Sequence, residues 1–345
     1  MLLTVNFPSW LKPEIIPGLP FRWYGLMYLV AFGIAFLLYR RQVRERNYPM
    51  NDDSITSLYF WGILGLLLGA RIFATIVYEV DDIYVRSPWL IFWPFRNGRF
   101  VGLQGMSYHG GVIGGILGVV LFTKVKKFHL RDIGDMVAVS IPLGYTFGRL
   151  GNFINGELYG RVTASSWGMV FPNAEPLSLK LGWVKEIALK AGLAVGQSAS
   201  YINLPRHPSQ LYEAFFEGVL LWAILWLLRK HRPFRGFLMG LYFIGYGFFR
   251  FFIEYFREPD KELGYRIVFV KNNIDPALYS TPFNFSTGQI LCFLMVLGGC
   301  IWLFAASRLP DAKDEPGSRE AEEVKTKEER EANRKLRRKL RKKLK

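Results

Sequence analysis

Long apolar blocks, rather than short amphipathic stretches, organise this chain. They fall at about 21–40, 55–78, 107–123, 132–150, 209–228, 236–256 and 287–307. From Pro276 to Ser307 no residue is charged. A helix needs roughly 20 apolar residues to cross a hydrocarbon core of roughly 30 Å, so that block suffices on its own. The first, third and seventh blocks are the clearest, and the others carry ionisable side chains. The pattern predicts an all-α polytopic membrane protein. It has about seven transmembrane helices, with a small head segment between spans four and five.

Charge adds an orientation. Of 345 residues, 44 are Lys or Arg and 28 Asp or Glu, a formal charge of +16. Arg40, Arg41, Arg44 and Arg46 follow the first block. Lys124, Lys126, Lys127 and Arg131 join the third to the fourth, and Arg229, Lys230, Arg232 and Arg235 join the fifth to the sixth. These loops alternate correctly to share one side, which the positive-inside rule makes cytoplasmic. The division expected is an N-terminal arm (1–20), a spanning domain (21–307) with outward insertions at about 79–106 and 151–208, and a basic cytoplasmic tail (308–345). The tail reads either as a solvated appendage or as a segment drawn to anionic lipid, at about 1 kcal/mol per basic residue near the surface. Nothing beyond charge supports nucleic acid, and none is expected as a partner. No cleavable signal peptide is evident in the first twenty residues.

Ionisable groups inside a bilayer are costly and usually face a cavity or each other. Arg71, His109, Arg149, Glu213, Glu217, Arg250, Glu254 and Arg257 all fall within or at the ends of the blocks, toward the side opposite the basic loops. Arg250, Glu254 and Arg257 share one helix face. Two cations flanking one anion leave positive charge for a phosphate, or else form a structural ion-pair network. Gly110, Gly114 and Gly118 form a small-residue stripe suited to close helix packing. His109, just before it, fits a general base, a hydrogen-bond donor or a structural residue. The run from Gly148 to Arg161 holds four Gly, two Asn, two Arg and one Glu. Unwound backbone at membrane depth must be buried in protein or line a wet cavity. The run therefore reads as an anion site or as a polar turn.

These stretches carry a resemblance. The block Gly148 to Gly160 resembles the signature of the phosphatidylglycerol–prolipoprotein diacylglyceryl transferases. Further segments are similar to that family in the same order: Arg22 to Tyr28, Ser107 to Gly111, Arg206 to Glu213, Arg250 to Asp260, and Gly288-Gln289. The likeness covers about 20–307, with 162–204 matching poorly and the basic tail extra.

The resemblance implies transfer of the diacylglyceryl group of phosphatidylglycerol to the sulfur of the lipobox cysteine in preprolipoprotein signal peptides. A thioether forms and glycerol-1-phosphate leaves. It also implies a bacterial inner membrane location, with periplasmic head and N-terminus. The expected catalytic residues are His109, Tyr24, Arg149 and Arg250. Phosphatidylglycerol binding is expected at Arg149, Asn152, Asn155, Glu157, Gly160, Arg250, Glu254 and Arg257. Arg149 and Arg250 would clamp the phosphate with help from Arg257, while Tyr24 and Asn152 orient the glyceryl group. Glu157 and Glu254 would position the arginines, and His109 would accept the thiol proton or shape the site.

No metal or cofactor is expected, because the four His lack ligand spacing. Cys292 and Cys300 lie eight residues apart in one apolar block, too far to join if it is helical. A secondary transporter would also have intramembrane Arg and broken helices, but no internal repeat links the two halves. An intramembrane serine protease would need a nucleophile elbow that is missing. A purely structural bundle would tolerate substitution of its polar cluster.

Overall fold

The computed structural model describes residues 5–19, 21–78, 83–96, 98–100, 105–196, 199–259, 264–271, 275–279 and 281–309. The basic tail and part of the 79–106 insertion lie outside these residues. The helices are α1 (Trp23–Glu45), α2 (Asp52–Phe73), α3 (Ile83–Arg86), α4 (Tyr108–Lys126), α5 (Leu130–Ile154), α6 (Gly182–Lys190), α7 (Ser209–Glu213), α8 (Leu221–Leu228), α9 (Phe237–Ile253) and α10 (Thr287–Arg308). Two of them run through π-helical turns. Ala74–Tyr78 extends α2, and Ala214–Leu220 joins α7 to α8. A helical segment therefore stands at each of the seven apolar blocks.

Among the described residues, five helical segments are long and apolar enough to cross a membrane: Trp23–Glu45, Asp52–Val77, Tyr108–Lys126, Ser209–Leu228 and Thr287–Arg308. Phe237–Ile253 is apolar but shorter. Only 11–33% of the most apolar window in each of the five is buried, so their hydrophobic side chains face outward. On α10, Leu291, Phe293, Leu294, Ile301 and Phe304 are all at least half exposed. Water would penalise such surface, whereas lipid tails would not. The chain is a mostly helical, multi-pass membrane protein.

Local chemistry sets the helix starts. Asn51 accepts a hydrogen bond from the Ser54 amide, and Ser107 accepts one from Gly110, each filling an orphan donor of a first turn. Ser286 and Gln289 form a reciprocal capping box at the start of α10. Lys127 ends α4 in the left-handed region, at φ 57°.

The described residues divide into two compact units, one within 5–39 and 134–309 and the other within 40–133. In the second unit, the Gly110, Gly114 and Gly118 stripe of α4 meets a matching stripe on α2. A Cβ on Gly114 would lie 2.1 Å from the carbonyl oxygen of Gly65, and one on Gly118 would lie 2.2 Å from that of Trp61. The backbones touch directly, and only glycine leaves room. Arg71 is almost fully buried in this unit. It donates to the carbonyls of Ile91 (2.5 Å) and Gly105 (3.1 Å) and to the Tyr84 hydroxyl (3.2 Å). It is a staple for the segment after α2.

In the first unit, the segment between α5 and α7 forms a small head of two-residue strand pairs around α6. Leu177–Ser178 pairs antiparallel with Tyr201–Ile202, and Val5–Asn6 runs parallel to Met169–Val170. Val162, Leu179, Val184, Ala188, Leu204 and Ala277 make its core. Cys292 is buried and Cys300 exposed on α10, and both are free.

Replacing Gly114 with Leu should overpack the α2–α4 contact and lower the unfolding midpoint in detergent, at a cost of about 1–3 kcal/mol. Gly33→Ala, at a position inside α1 with no atom within 4 Å of the added carbon, should hold the midpoint or raise it slightly. Equal midpoints for the two variants would contradict this account of the helix pair.

Candidate active site

Charged side chains from α5, α7, α9 and the turn after α9 meet in the first unit. Glu213 ends α7, and Glu217 follows one turn later in the π-helical stretch. Both are fully buried. Arg149 Nε lies 2.9 Å from Glu213 Oε2 and donates to the Tyr145 hydroxyl at 2.7 Å. Arg250 Nη1 lies 3.1 Å from the same Glu213 oxygen and 3.6 Å from Glu217 Oε1. The Tyr145 hydroxyl donates to Glu217 at 2.6 Å. Six side chains thus interlock: three Arg (149, 250, 257) and three Glu (213, 217, 254).

Arg250, Glu254 and Arg257 do share a face. Arg250 Nη2 stands 3.2 Å from Glu254 Oε2, and Arg257 Nη1 stands 3.8 Å from it. The surplus positive charge expected from these three alone is cancelled, because Glu213 and Glu217 bring the count to three against three. Their weight in the cluster was hidden in the sequence. The signal was Glu213 and Glu217 at i,i+4 in an apolar span, which places both carboxylates together.

Charge is balanced but hydrogen bonding is not. Among the described residues the Arg257 guanidinium sits 3.9 Å from Glu213 and 3.8 Å from Glu254, beyond hydrogen-bond reach. Arg250 Nη1, Glu213 Oε1, Glu217 Oε1 and Glu254 Oε2 are buried without a hydrogen-bond partner. Buried polar atoms are normally satisfied. One guanidinium nitrogen and three carboxylate oxygens of the cluster are thus unpaired, and the Arg257 fork stands at ion-pair rather than hydrogen-bond distance.

Glu254 is held from the other side by α10. Ser286, which caps that helix, donates to Glu254 Oε1 at 3.1 Å. A carboxylate at a helix N-terminus is favoured by the helix dipole. The approach requires Gly288, because a Cβ there would lie 2.6 Å from Glu254 Oε1.

The Gly148–Arg161 run divides between two jobs. Asn152 accepts from Arg149 Nη1 at 3.2 Å and donates to Glu157 at 3.0 Å; Asn155 also donates to Glu157, at 3.2 Å. Glu157 therefore acts on Arg149 through Asn152. Asn155 Oδ1 is buried and unpaired. Gly160 serves through its backbone, donating to the His207 carbonyl at 2.8 Å and bridging to Arg257. Arg161 is buried and donates to the carbonyls of Arg257 (2.9 Å) and Leu278 (3.0 Å) and to the Tyr265 hydroxyl. It fixes the chain that carries Arg257.

Tyr24 packs on Gly151, and its hydroxyl lies 2.9 Å from that of Tyr28. Tyr24, Arg149, Asn152, Asn155, Glu157, Gly160, Arg250, Glu254 and Arg257 thus all belong to one unit. His109 belongs to the other, exposed in the first turn of α4 with its ring edge-on to Tyr108. Beside the cluster, Leu158, Tyr159, Arg206, Arg257 and Glu258 line a cleft of about 240 Å³. Arg206 pairs with Glu258 and lies over the Tyr159 ring.

Fold and site define a class: a multi-pass membrane protein in which partly buried arginines are matched in charge by buried carboxylates, with atoms of both kinds left without hydrogen-bond partners. Comparison with known proteins is more specific. The family described as prolipoprotein diacylglyceryl transferase matches residues 14–305. The chain is 60% identical to the phosphatidylglycerol–prolipoprotein diacylglyceryl transferase of Treponema denticola, over 86% of this chain and 93% of the relative. It is 52% identical to that of Treponema pallidum (89% and 96%) and 44% identical to that of Chlorobaculum tepidum (85% and 89%). The chain belongs to the prolipoprotein diacylglyceryl transferase family.

Two predictions follow from the geometry. Gly288→Ala should displace Glu254, loosen Arg250 and Arg257, and lower kcat/KM for diacylglyceryl transfer about tenfold. Unchanged kinetics would show that Glu254 does not need that approach. The second concerns His207, packed against Tyr212 and Phe256, where burial pushes its imidazole down to about 4. Between pH 6.5 and about 4 the unfolded chain binds the proton and the folded chain does not, so stability falls as pH falls through that window. The unfolding midpoint in detergent should drop there, and less steeply in His207→Phe.

Proposed function

We propose that this chain transfers the diacylglyceryl group of phosphatidylglycerol to the lipobox cysteine of preprolipoprotein signal peptides. The observation that carries the reading is the convergence of three guanidinium groups, Arg149, Arg250 and Arg257, with the Arg257 fork beyond hydrogen-bond reach of its carboxylates. A phosphate diester offers acceptor oxygens in a geometry that suits planar donor forks.

The chemistry follows from charge. The cysteine loses its proton, and the thiolate attacks the glyceryl carbon bonded to the phosphate oxygen. A C–S bond forms, the C–O bond breaks, and its electron pair stays with the phosphate. The leaving group passes from diester monoanion to monoester dianion. Donors aimed at the phosphate are therefore worth more at the transition state than in the ground state. Arg149 and Arg250 grip it from two helices, and Arg257 is the arm best placed to follow it toward the cleft. Asn152, held by Glu157, and Tyr24 orient the glyceryl portion. Asn155 offers its unpaired carbonyl oxygen to a glycerol hydroxyl, and the Gly160 backbone fixes Arg257. Glu254 orders Arg250 and Arg257. His109 takes the thiol proton.

The same reading counts seven spans, adding Leu130–Ile154 and Phe237–Ile253 to the five apolar ones. It places the loops with Arg40–Arg46, Lys124–Arg131 and Arg229–Arg235 in the cytoplasm of a bacterial inner membrane. The arm and head then face the periplasm, where the lipobox peptide arrives, and the tail 308–345 faces the cytoplasm.

The test uses purified protein in phosphatidylglycerol vesicles with a lipobox peptide. Mass spectrometry should show the diacylglyceryl adduct together with free glycerol phosphate. Solute movement with no covalent product would point to a transporter instead. Arg257→Ala should lower turnover by about a hundredfold, the order expected for an electrostatic donor. His109→Gln should be nearly inactive at neutral pH, and near-normal turnover at raised pH would remove His109 from proton transfer.

A further inference from the structure

Three guanidinium groups on three stretches of chain converge on one carboxylate that the roles above leave unused. Arg149, Arg250 and Arg257 reach Glu213 at 2.9, 3.1 and 3.9 Å. Glu213 Oε2 takes the first two and faces the Tyr145 hydroxyl at 3.3 Å, while Oε1 faces Arg257. Behind it, Glu217 holds Tyr145, and Tyr145 holds Arg149. Taking ions out of water offsets most of what a buried pair gains, so stability alone is a poor reason for this arrangement. What one shared anion supplies is a fixed distance between cations that would otherwise repel.

It also has an electrostatic cost for any bound phosphate. A fixed negative charge beside the arginines repels a dianion twice as strongly as a monoanion. The departing monoester is the dianion. We propose that Glu213 is a positioning residue and resident counter-ion: it spaces Arg149, Arg250 and Arg257 for the phosphate and keeps the released glycerol phosphate from being retained. This rests on reading the chain as a diacylglyceryl transferase.

The test compares wild type with Glu213→Gln and Glu213→Asp, measuring transfer kinetics and, separately, calorimetric binding of glycerol-1-phosphate to the purified protein in micelles. Glu213→Gln keeps the shape and removes the charge. Glycerol phosphate should bind about tenfold tighter and phosphatidylglycerol about threefold tighter by KM, while kcat falls. A structural defect would lower kcat through the folded fraction and leave both affinities unchanged, which would overturn the proposal, as would weaker binding.

Glu213→Asp keeps the charge but withdraws it by one methylene. Product affinity should stay near wild type, with kcat about tenfold lower from the altered spacing. Wild-type turnover in Glu213→Asp would overturn the spacing role even if Glu213→Gln failed to fold. Wild-type protein that makes no adduct would defeat the transferase reading. The calorimetric comparison judges Glu213 in either case.

Discussion

The carboxylate of Glu213, shared between Arg149 and Arg250, is the contact on which the organisation of the first unit turns. It joins α5, α7 and α9 at a depth where an unpaired charge would cost several kcal/mol. Each further interaction extends it. Tyr145 and Glu217 brace it from behind, and Glu254 continues it to Arg257. The first turn of α10 then holds Glu254 through Ser286. The capping box of α10, a local feature, thereby reaches two helices away. Arg161 performs the matching task in the head, tying the backbone at Arg257 and Leu278 into one corner.

Neutrality and hydrogen-bond satisfaction are separate properties, and the cluster separates them. Equal numbers of Arg and Glu let the charges gather without a net charge. The Arg257 fork and several carboxylate oxygens nevertheless lie at ion-pair rather than hydrogen-bond geometry. Such a site can admit an oxyanion without first breaking a strong bond. It differs from a purely structural network, in which each donor is matched, and from an open cationic patch, which would attract any anion.

Much of the fold was legible from apolar block length, because a membrane helix needs little beyond a long apolar run. The seven blocks and the helices agree to within a few residues, and the glycine stripe of α4 packs against another helix as its spacing implied. What hydropathy could not show was the partner stripe on α2, which required knowing that Gly65 faces Gly114. Arg71 looked like the other intramembrane charges but serves a neighbouring loop, because sequence gives depth and not direction. The site arginines were legible through their motif neighbourhoods. Their neutralisation was not, since Glu213 lies 64 residues after Arg149 and only tertiary packing joins them.

The π-helical passage from Ala214 to Leu220 bears on how such a protein can change over time. A turn closed by i→i+5 bonds holds one residue more than an α-helical turn, so it shifts the angular phase of everything that follows. The greasy side of α8 is consequently offset around the axis from where an unbroken α-helix would place it relative to the carboxylate-bearing side of α7. Surface facing the tails can be rewritten to suit a different bilayer without rotating the ionised side chains out of register.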